Sequence, residues 1–326
     1  MINREKINFM KKNGYHQYPL TMQLEITREC PFNCPQCYKM ELGQKHMDFD
    51  LLNRMINEGL EHEVQLFVLN GGEPLLYPGF VKALELLRGK NVGINCFSSG
   101  YGLTEEIIQA IKDTPNLSFF ISLNGSTKEI NDLSRQGYDV SIKAIKKLQE
   151  NNVPFGINWV ARKDNLDDFE NMIRFCKENH VSQFSVTSNK LAEKKTAVNS
   201  YLKHEDIKRL GDLIKANPDL NITVEACFPQ LTAEIRRLKD SDGCAAGYYN
   251  INISLEGMFL PCTHLYYPEK WDSLEDYWNN SEMLKKLRKN VVCNNCEKKC
   301  RFCKAMSPES YQDFSTGLQY CAKKED

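Results

Sequence analysis

The sequence lacks an excess of charge of either sign. Its 42 Lys and Arg nearly cancel its 43 Asp and Glu, the formal net charge is −1, and no basic stripe with interleaved aromatics stands out. That balance excludes an electrostatic nucleic-acid surface, which needs Lys and Arg gathered on one face. Long hydrophobic runs are missing as well. Nowhere do about eighteen apolar residues run together, the length a helix needs to cross a bilayer. The first stretch, Met1 to Gly14, is polar and lysine-rich and lacks the apolar segment of an export signal. A cytoplasmic protein is expected, with no nucleic acid and no membrane among its partners. Apolar residues are nevertheless plentiful, at 41% of 326, enough to bury one large core with a smaller appendage.

Cysteine is what the chain has in quantity, 13 residues grouped in short spacings. In a reducing compartment such groups read as metal ligands rather than disulfides, and an oxygen-poor, anaerobic cell suits them. The first group, Cys30-x3-Cys34-x2-Cys37, follows an alternating apolar run from Met22 to Ile26 that reads as a first strand. Three thiolates in one short loop can hold three irons of a cubic iron-sulfur cluster and leave the fourth open. A zinc site or chance spacing is the other reading. A second motif, Gly71-Gly72-Glu73-Pro74, ends the apolar run Val64 to Leu69. Its glycines let the backbone approach a ligand closely, and Glu73 can face an ammonium. Taken alone, the same string is an ordinary turn.

Between and beyond these motifs strand and helix patterns alternate. Strand-like runs lie at Met22 to Thr27, Val64 to Asn70, Val92 to Phe97, Leu117 to Leu123, Val153 to Val160 and Gln183 to Thr187. Amphipathic stretches of helical length separate them, among them Phe49 to Gly59, Phe80 to Arg88, Thr104 to Lys112, Val140 to Asn151 and Asn165 to Asn179. Six strand-helix units with short connections imply an α/β fold whose parallel sheet curls, through right-handed crossovers, into a partial (β/α)6 barrel of TIM type. Ligands in such sheets sit at the C-terminal strand ends, where both motifs fall. The fourth strand ends in Ser122, and Arg135 follows; hydroxyl and guanidinium can together hold a carboxylate.

In sequence and place the two motifs resemble those of the radical S-adenosylmethionine (SAM) enzymes. The resemblance implies a 4Fe-4S cluster with an open iron site on Cys30, Cys34 and Cys37. It implies that Gly71, Gly72 and Glu73 bind the amino group of SAM, that Ser122 and Arg135 hold its carboxylate, and that the backbone at Gln36 touches the adenine. Asn124 stands where family members usually carry Asp, which puts a ribose contact there in question.

Past Lys190 the alternation fades into a charged helical stretch, Lys203 to Ala216, and a last apolar run, Asn221 to Ala226. Seven cysteines then lie at Cys244, Cys262, Cys293, Cys296, Cys300, Cys303 and Cys321, in a part rich in turns, as expected of a small domain folded around metal. Two C-x2-C pairs by themselves favour zinc. The segment Cys244-x12-Gly257-x4-Cys262 followed by four close cysteines and a last one resembles instead the SPASM extension of radical SAM enzymes, which holds auxiliary clusters. The resemblance implies one or two auxiliary 4Fe-4S clusters, one on Cys244, Cys262 and Cys303 and the other on Cys293, Cys296, Cys300 and Cys321. The close cysteines are spaced by two, three and two residues where the usual pattern has two, five and three. Cys227 is open between a further ligand, a hydrogen-atom donor and a small core residue. Cys96 and Cys176, on a strand and an amphipathic helix, read as core.

The expected organisation is an N-terminal extension over 1–20, the barrel over 21–229, a linker over 230–240 and the cluster domain over 241–326. The resemblance implies an oxidoreductase that cleaves SAM reductively and takes a hydrogen atom from a peptide, cross-linking or epimerising a ribosomally made substrate. Oxidation of a small alcohol or aminosugar, or redox-cofactor maturation, is the alternative. Sulfatase maturation fits less well, because Thr263 stands where those members carry Asp, with His264 next to it as either base or hydrogen-bond partner. A cluster-bearing protein without catalysis is a further class. Expected partners are the peptide and an electron donor such as flavodoxin or ferredoxin; since few residues precede the first strand, either a separate leader-binding protein presents the peptide or the peptide binds directly to the barrel.

Overall fold

A computed structural model describes residues 4–38, 45–190, 200–235, 243–289, 301 and 303–306. Its elements run α1 (Arg4–Asn13), β1 (Thr21–Thr27), α2 (Phe49–Glu61), β2 (Leu66–Gly71), α3 (Phe80–Leu87), β3 (Gly93–Ser98), α4 (Glu105–Lys112) and β4 (Leu117–Ser122). They continue with α5 (Lys128–Asp132), α6 (Tyr138–Glu150), β5 (Gly156–Ala161), α7 (Phe169–Glu178), β6 (Gln183–Ser188), α8 (His204–Lys215), β7 (Ile222–Val224) and α9 (Pro229–Ile235). Last come β8 (Asn250–Ile253), β9 (Phe259–Leu260), α10 (Leu274–Asn280) and α11 (Glu282–Lys289). The expected strands are present within a few residues of their predicted limits, and Thr104, read as the first residue of its helix, caps α4 by accepting from Ile107 N–H.

Two compact units make up the chain, one from residues 1–31, 39–119 and 245–290, the other from 32–38, 120–244 and 291–326. In the first, the strand order is β3-β2-β1-β8-β9, parallel except for the β8–β9 pair. Alternation in β1 sends Met22, Leu24 and Ile26 inward, and register turns them into rows. Ile94, Phe67, Met22 and Ile251 line up across the strands, as do Cys96, Leu69, Leu24 and Ile253, all fully buried. Each such side chain contributes about 1.5–3 kcal/mol on burial. Helix α2 covers this layer, and Gly59 on its buried face leaves room for the Phe67 ring, which a Cβ would meet at 2.9 Å. The pairing of β8 with β1 brings a strand expected in the C-terminal cluster domain into this unit.

In the second unit the order is β7-β6-β5-β4, all parallel. Ile121, Ile157, Phe184 and Ile222 share a row. Trp159 packs on Phe169, and Phe169 stacks on Phe184, with centroids 5.1 and 5.6 Å apart. The helix expected from Asn165 to Asn179 breaks into a short 3-10 turn, Leu166–Asp168, and α7. Side-chain competition explains the break: Asn165 donates to the carbonyls of Asn124 and Val160, and Asp168 accepts from Ser126 N–H and Oγ. Among the described residues no helix is long and apolar enough to cross a membrane.

Candidate functional site

In the first unit the C-terminal end of β1 meets the loop after β2. Gly72 N–H donates to the Thr27 carbonyl at 2.6 Å and Glu73 N–H to the Glu29 carbonyl at 2.7 Å. Cys30 is the next residue after Glu29. This approach requires glycine. A Cβ on Gly71, whose φ is +141°, would lie 2.0 Å from the Thr27 carbonyl oxygen, and one on Gly72 would lie 2.3 Å from that of Glu29. The Gly-Gly-Glu loop is therefore stitched to the backbone that enters the cysteine loop.

Glu73 is 1% exposed. Its Oε1 accepts from Ser98 Oγ at 2.5 Å and Leu75 N–H at 3.2 Å, and its Oε2 from Ser99 N–H at 2.8 Å and Ser99 Oγ at 2.5 Å. Burial raises its pKa while these four donors oppose the rise. The sequence reading aimed this carboxylate at an ammonium; the structure occupies both its oxygens with the end of β3. Ser98 and Ser99 were not singled out from the sequence, where a serine pair before Gly100 looks like any strand exit. Arg28 was also passed over. It reaches Glu25 with Nε at 3.0 Å and a terminal nitrogen at 2.9 Å, and Glu256 with both terminal nitrogens. The Glu25-x2-Arg28 spacing was its only signal. Farther along the chain, Cys262 Sγ accepts from His264 N–H at 3.4 Å, and the His264 ring lies 3.1 Å from Thr263 Oγ1 through Nδ1. The contact to the thiol is thus made by the His264 backbone, while the ring meets Thr263.

In the second unit Cys34 and Cys37 share one turn, with Cys37 N–H donating to the Cys34 carbonyl at 3.1 Å. The segment between α5 and α6 seats that turn. Gln136 donates its N–H to Cys34 Sγ at 3.3 Å and accepts Asn33 N–H on its side chain at 2.9 Å. Gly137, at φ +91°, leaves space for the Phe32 ring, which a Cβ would meet at 2.6 Å. Arg135 folds onto the end of β4, where its Nε donates to the Ser122 carbonyl at 3.2 Å, so the pair singled out from sequence does come together. Asn124 is buried and structural: its Nδ2 donates to Ser134 Oγ at 2.8 Å and its Oδ1 accepts Val160 N–H at 3.1 Å. Gln36 holds a buried Oε1 that no described group satisfies.

These features fit a cluster and a nucleotide-like ligand. All nine described cysteines are free thiols; Cys30, Cys34 and Cys37 are partly exposed, and an N–H···S bond of the kind that tunes clusters is already made to Cys34. The unsatisfied Gln36 oxygen is an acceptor for a polar ligand. Among the described residues no three ligating side chains converge as for a single ion, whereas each cysteine of a cubane takes a different iron. Of the auxiliary set, Cys244 and Cys303 are buried and Cys262 is partly exposed. Cys293, Cys296, Cys300 and Cys321 lie outside the described residues. Cys96 and Cys176 are fully buried, and burial pushes the Cys176 thiol up to about 12.

Residues 24–176 match the radical SAM superfamily. Over 318 residues the chain is 24% identical to a PqqA peptide cyclase of Gluconobacter oxydans (strain 621H), covering 89% of this chain and 87% of that one. It is 24% identical over 163 residues to the sporulation killing factor maturation protein SkfB of Bacillus subtilis (strain 168), covering 48% and 40%. Among solved structures it resembles Streptococcus suis SuiB bound to S-adenosylmethionine, with a TM-score of 0.78 at 20% identity over 93% of this chain and 77% of that one. It likewise resembles anSMEcpe with bound AdoMet, with a TM-score of 0.72 at 20% identity over 93% and 94%. The likeness shows the fold, an α/β partial barrel built on a parallel sheet.

Proposed function

We propose that this chain, which carries a radical SAM domain over residues 24–176, cleaves SAM reductively and modifies a ribosomally made peptide by cross-linking or epimerisation. Cys30, Cys34 and Cys37 would hold a 4Fe-4S cluster with an open iron, which would supply the electron for reductive cleavage of SAM and so the radical chemistry that removes a hydrogen atom from the substrate. The chain's own residues bind and orient. Gly71 and Gly72 bring backbone within reach of the SAM amino group, and Glu73, fixed by Ser98 and Ser99, holds that loop in shape. Arg135, seated at Ser122, offers its remaining N–H donors to the SAM carboxylate, and the Gln36 segment receives the adenine.

The observation that carries this reading is the pair of short backbone bonds from Gly72 and Glu73 to Thr27 and Glu29, which holds the Gly-Gly-Glu loop against the entry to the cysteine loop. The peptide substrate is supported by the relatives named as a peptide cyclase and a killing-factor maturation protein. Neighbours in fold include SuiB bound to its precursor peptide SuiA and anSMEcpe with AdoMet and a Cp18Cys peptide. Cys244, Cys262 and Cys303, with Cys293, Cys296, Cys300 and Cys321, would hold one or two auxiliary clusters, which would supply an acceptor for the second electron released in a cross-linking oxidation. A flavodoxin- or ferredoxin-type donor and a separate leader-binding protein complete the proposed set of partners.

The test is the mass of any short peptide encoded beside this gene, co-produced with the enzyme without oxygen and again in heavy water. Loss of two hydrogens indicates cross-linking or oxidation, and gain of one deuterium indicates epimerisation. An unaltered peptide with SAM still cleaved moves the substrate to the small-alcohol class.

A further inference from the structure

The sheet of the first unit has two unlike faces. Its buried rows under α2 are apolar, whereas alternation sends Gln23 and Glu25 of β1, Asn70 of β2, and Asn250 and Asn252 of β8 to the opposite face. Register sets Asn252 beside Gln23 and Asn70 beside Glu25. Gln23 and Glu25 are partly exposed, so this polar face is not sealed.

Three of its amides form a relay. Asn70 Nδ2 donates to Gln23 Oε1 at 3.4 Å, Gln23 Nε2 to Asn250 Oδ1 at 3.0 Å, and Asn250 Nδ2 to the Pro261 carbonyl at 3.4 Å. The far end fixes the direction, because a backbone carbonyl only accepts. Asn250 must turn its nitrogen to Pro261 and its oxygen to Gln23, and Gln23 must then present its own oxygen to Asn70. Asn70 is left with a free acceptor. That Oδ1 has no partner among the described residues, and neither has Oδ1 of Asn252. Asn70 is 8% exposed and Asn252 4%. Buried acceptors left unpaired are costly, so the two call for a ligand that brings donors.

Charge selects among donors. At the end of β1, Arg28 donates to both oxygens of Glu25 and to both oxygens of Glu256, and Ser254 Oγ holds Glu256 Oε2 at 2.7 Å. Two carboxylates share one guanidinium, which leaves one negative charge in the group that contains Glu25, the register neighbour of Asn70. A water or a neutral N–H would satisfy the oxygens and leave that charge; a cationic donor answers both.

We propose that Asn70 and Asn252, with the surplus charge of Glu25, Arg28 and Glu256, form a subsite for a cationic side chain, Lys or Arg, of the peptide substrate. The proposal rests on the peptide reading above and deepens it by naming a residue class that the substrate carries. Asn70 directly precedes Gly71, so a side chain held there brings the substrate beside the proposed SAM loop.

The experiment measures the dissociation constant of a fluorescently labelled peptide, the short one encoded beside this gene, with the full chain reconstituted with iron and sulfide, without oxygen and with SAM saturating. Each Lys and Arg of the peptide is replaced by Met in turn, which leaves the enzyme untouched. One replacement should weaken binding roughly tenfold or more, as expected for hydrogen bonds to a charged group. Asn252→Leu, or Asn70→Leu where Asn252→Leu does not fold, should weaken the unaltered peptide similarly and add little to the loss from that replacement, since both remove one contact. Asn252→Asp adds negative charge and should tighten the unaltered peptide at low salt but not the Met-replaced one. Calorimetry with SAM alone is the second readout. A wild type that binds and modifies the peptide yet holds every Met-replaced form equally well overturns the subsite and leaves peptide modification standing, and so does a modified peptide without Lys or Arg. Equal losses of SAM and peptide affinity in the Leu variant give the acceptors to SAM, and unchanged peptide affinity gives them to water; either result overturns the proposal. A wild type that neither binds nor alters the peptide overturns the peptide reading and the proposal with it.

Discussion

Glu73 and Ser99 are bound twice over: one carboxylate oxygen accepts both the backbone N–H, at 2.8 Å, and the hydroxyl, at 2.5 Å, of the same residue. The bond spans two loops that follow neighbouring parallel strands, and it fixes the shape of the proposed SAM-amino loop through its side chain.

Glu73→Gln is expected to be costly although it is nearly isosteric. The amide nitrogen would set donors against donors, either at Ser99 N–H or at Leu75 N–H, leaving a buried group unpaired at about 1–3 kcal/mol. Chemical denaturation should show that loss, and SAM affinity should fall with it. Equal stability of Glu73→Gln and the wild type would mean that the four donors are not what holds the loop.

Gly71→Ala and Gly72→Ala are expected to disrupt the entry to the cysteine loop, because each Cβ would overlap a backbone oxygen that cannot swing aside. Gly89 supplies the control. It also has a positive φ, +69°, but a Cβ there meets nothing within 4 Å, so Gly89→Ala carries only the left-handed penalty of about 1–2 kcal/mol. Iron retained per chain after gel filtration should fall for Gly71→Ala and Gly72→Ala and hold for Gly89→Ala. Similar retention in all three would remove the close approach from the argument.

Cys34→Ala should abolish SAM cleavage while leaving the C-terminal iron in place. Arg135→Ala should weaken SAM binding roughly tenfold or more, the loss of about 1.5–3 kcal/mol that a hydrogen bond from a charged donor carries. Calorimetry with SAM and counting of released 5'-deoxyadenosine separate the two effects. Cleavage surviving in Cys34→Ala would end the cluster assignment, and unchanged affinity would take Arg135 out of the site.

Arg288 is a stability element far from these motifs in sequence. Its guanidinium lies between the rings of Tyr15 and Trp278, 3.9 and 4.5 Å from their centroids, and donates to the carbonyls of Gly247 and Trp278 at 2.7 and 2.8 Å. Burial lowers its pKa to about 10. Arg288→Lys keeps the charge and loses the planar stack and one carbonyl partner, so thermal unfolding should shift down by an amount equivalent to about 1–3 kcal/mol. A melting curve superimposable on the wild type would show the stack to be ornamental.

Local pattern was enough for the alternation of strands and helices and for the two loops that carry the proposed SAM chemistry. Period-2 burial in β1 and the spacing of Cys30, Cys34 and Cys37 are properties of a few consecutive residues, and consecutive residues are what a sequence displays. Ser122 and Arg135 were legible for the same reason, since they are joined by one short connection. Only the folded chain decided the rest. Ser98 and Ser99 serve Glu73 because β3 lies parallel beside β2; β8 pairs with β1 across more than two hundred residues; and Lys190 meets Glu225 because the ends of the paired strands β6 and β7 lie side by side. Composition and spacing determine which groups are available, while the backbone's path determines which of them share a hydrogen bond or a charge, and that path is set by the packing of the whole chain.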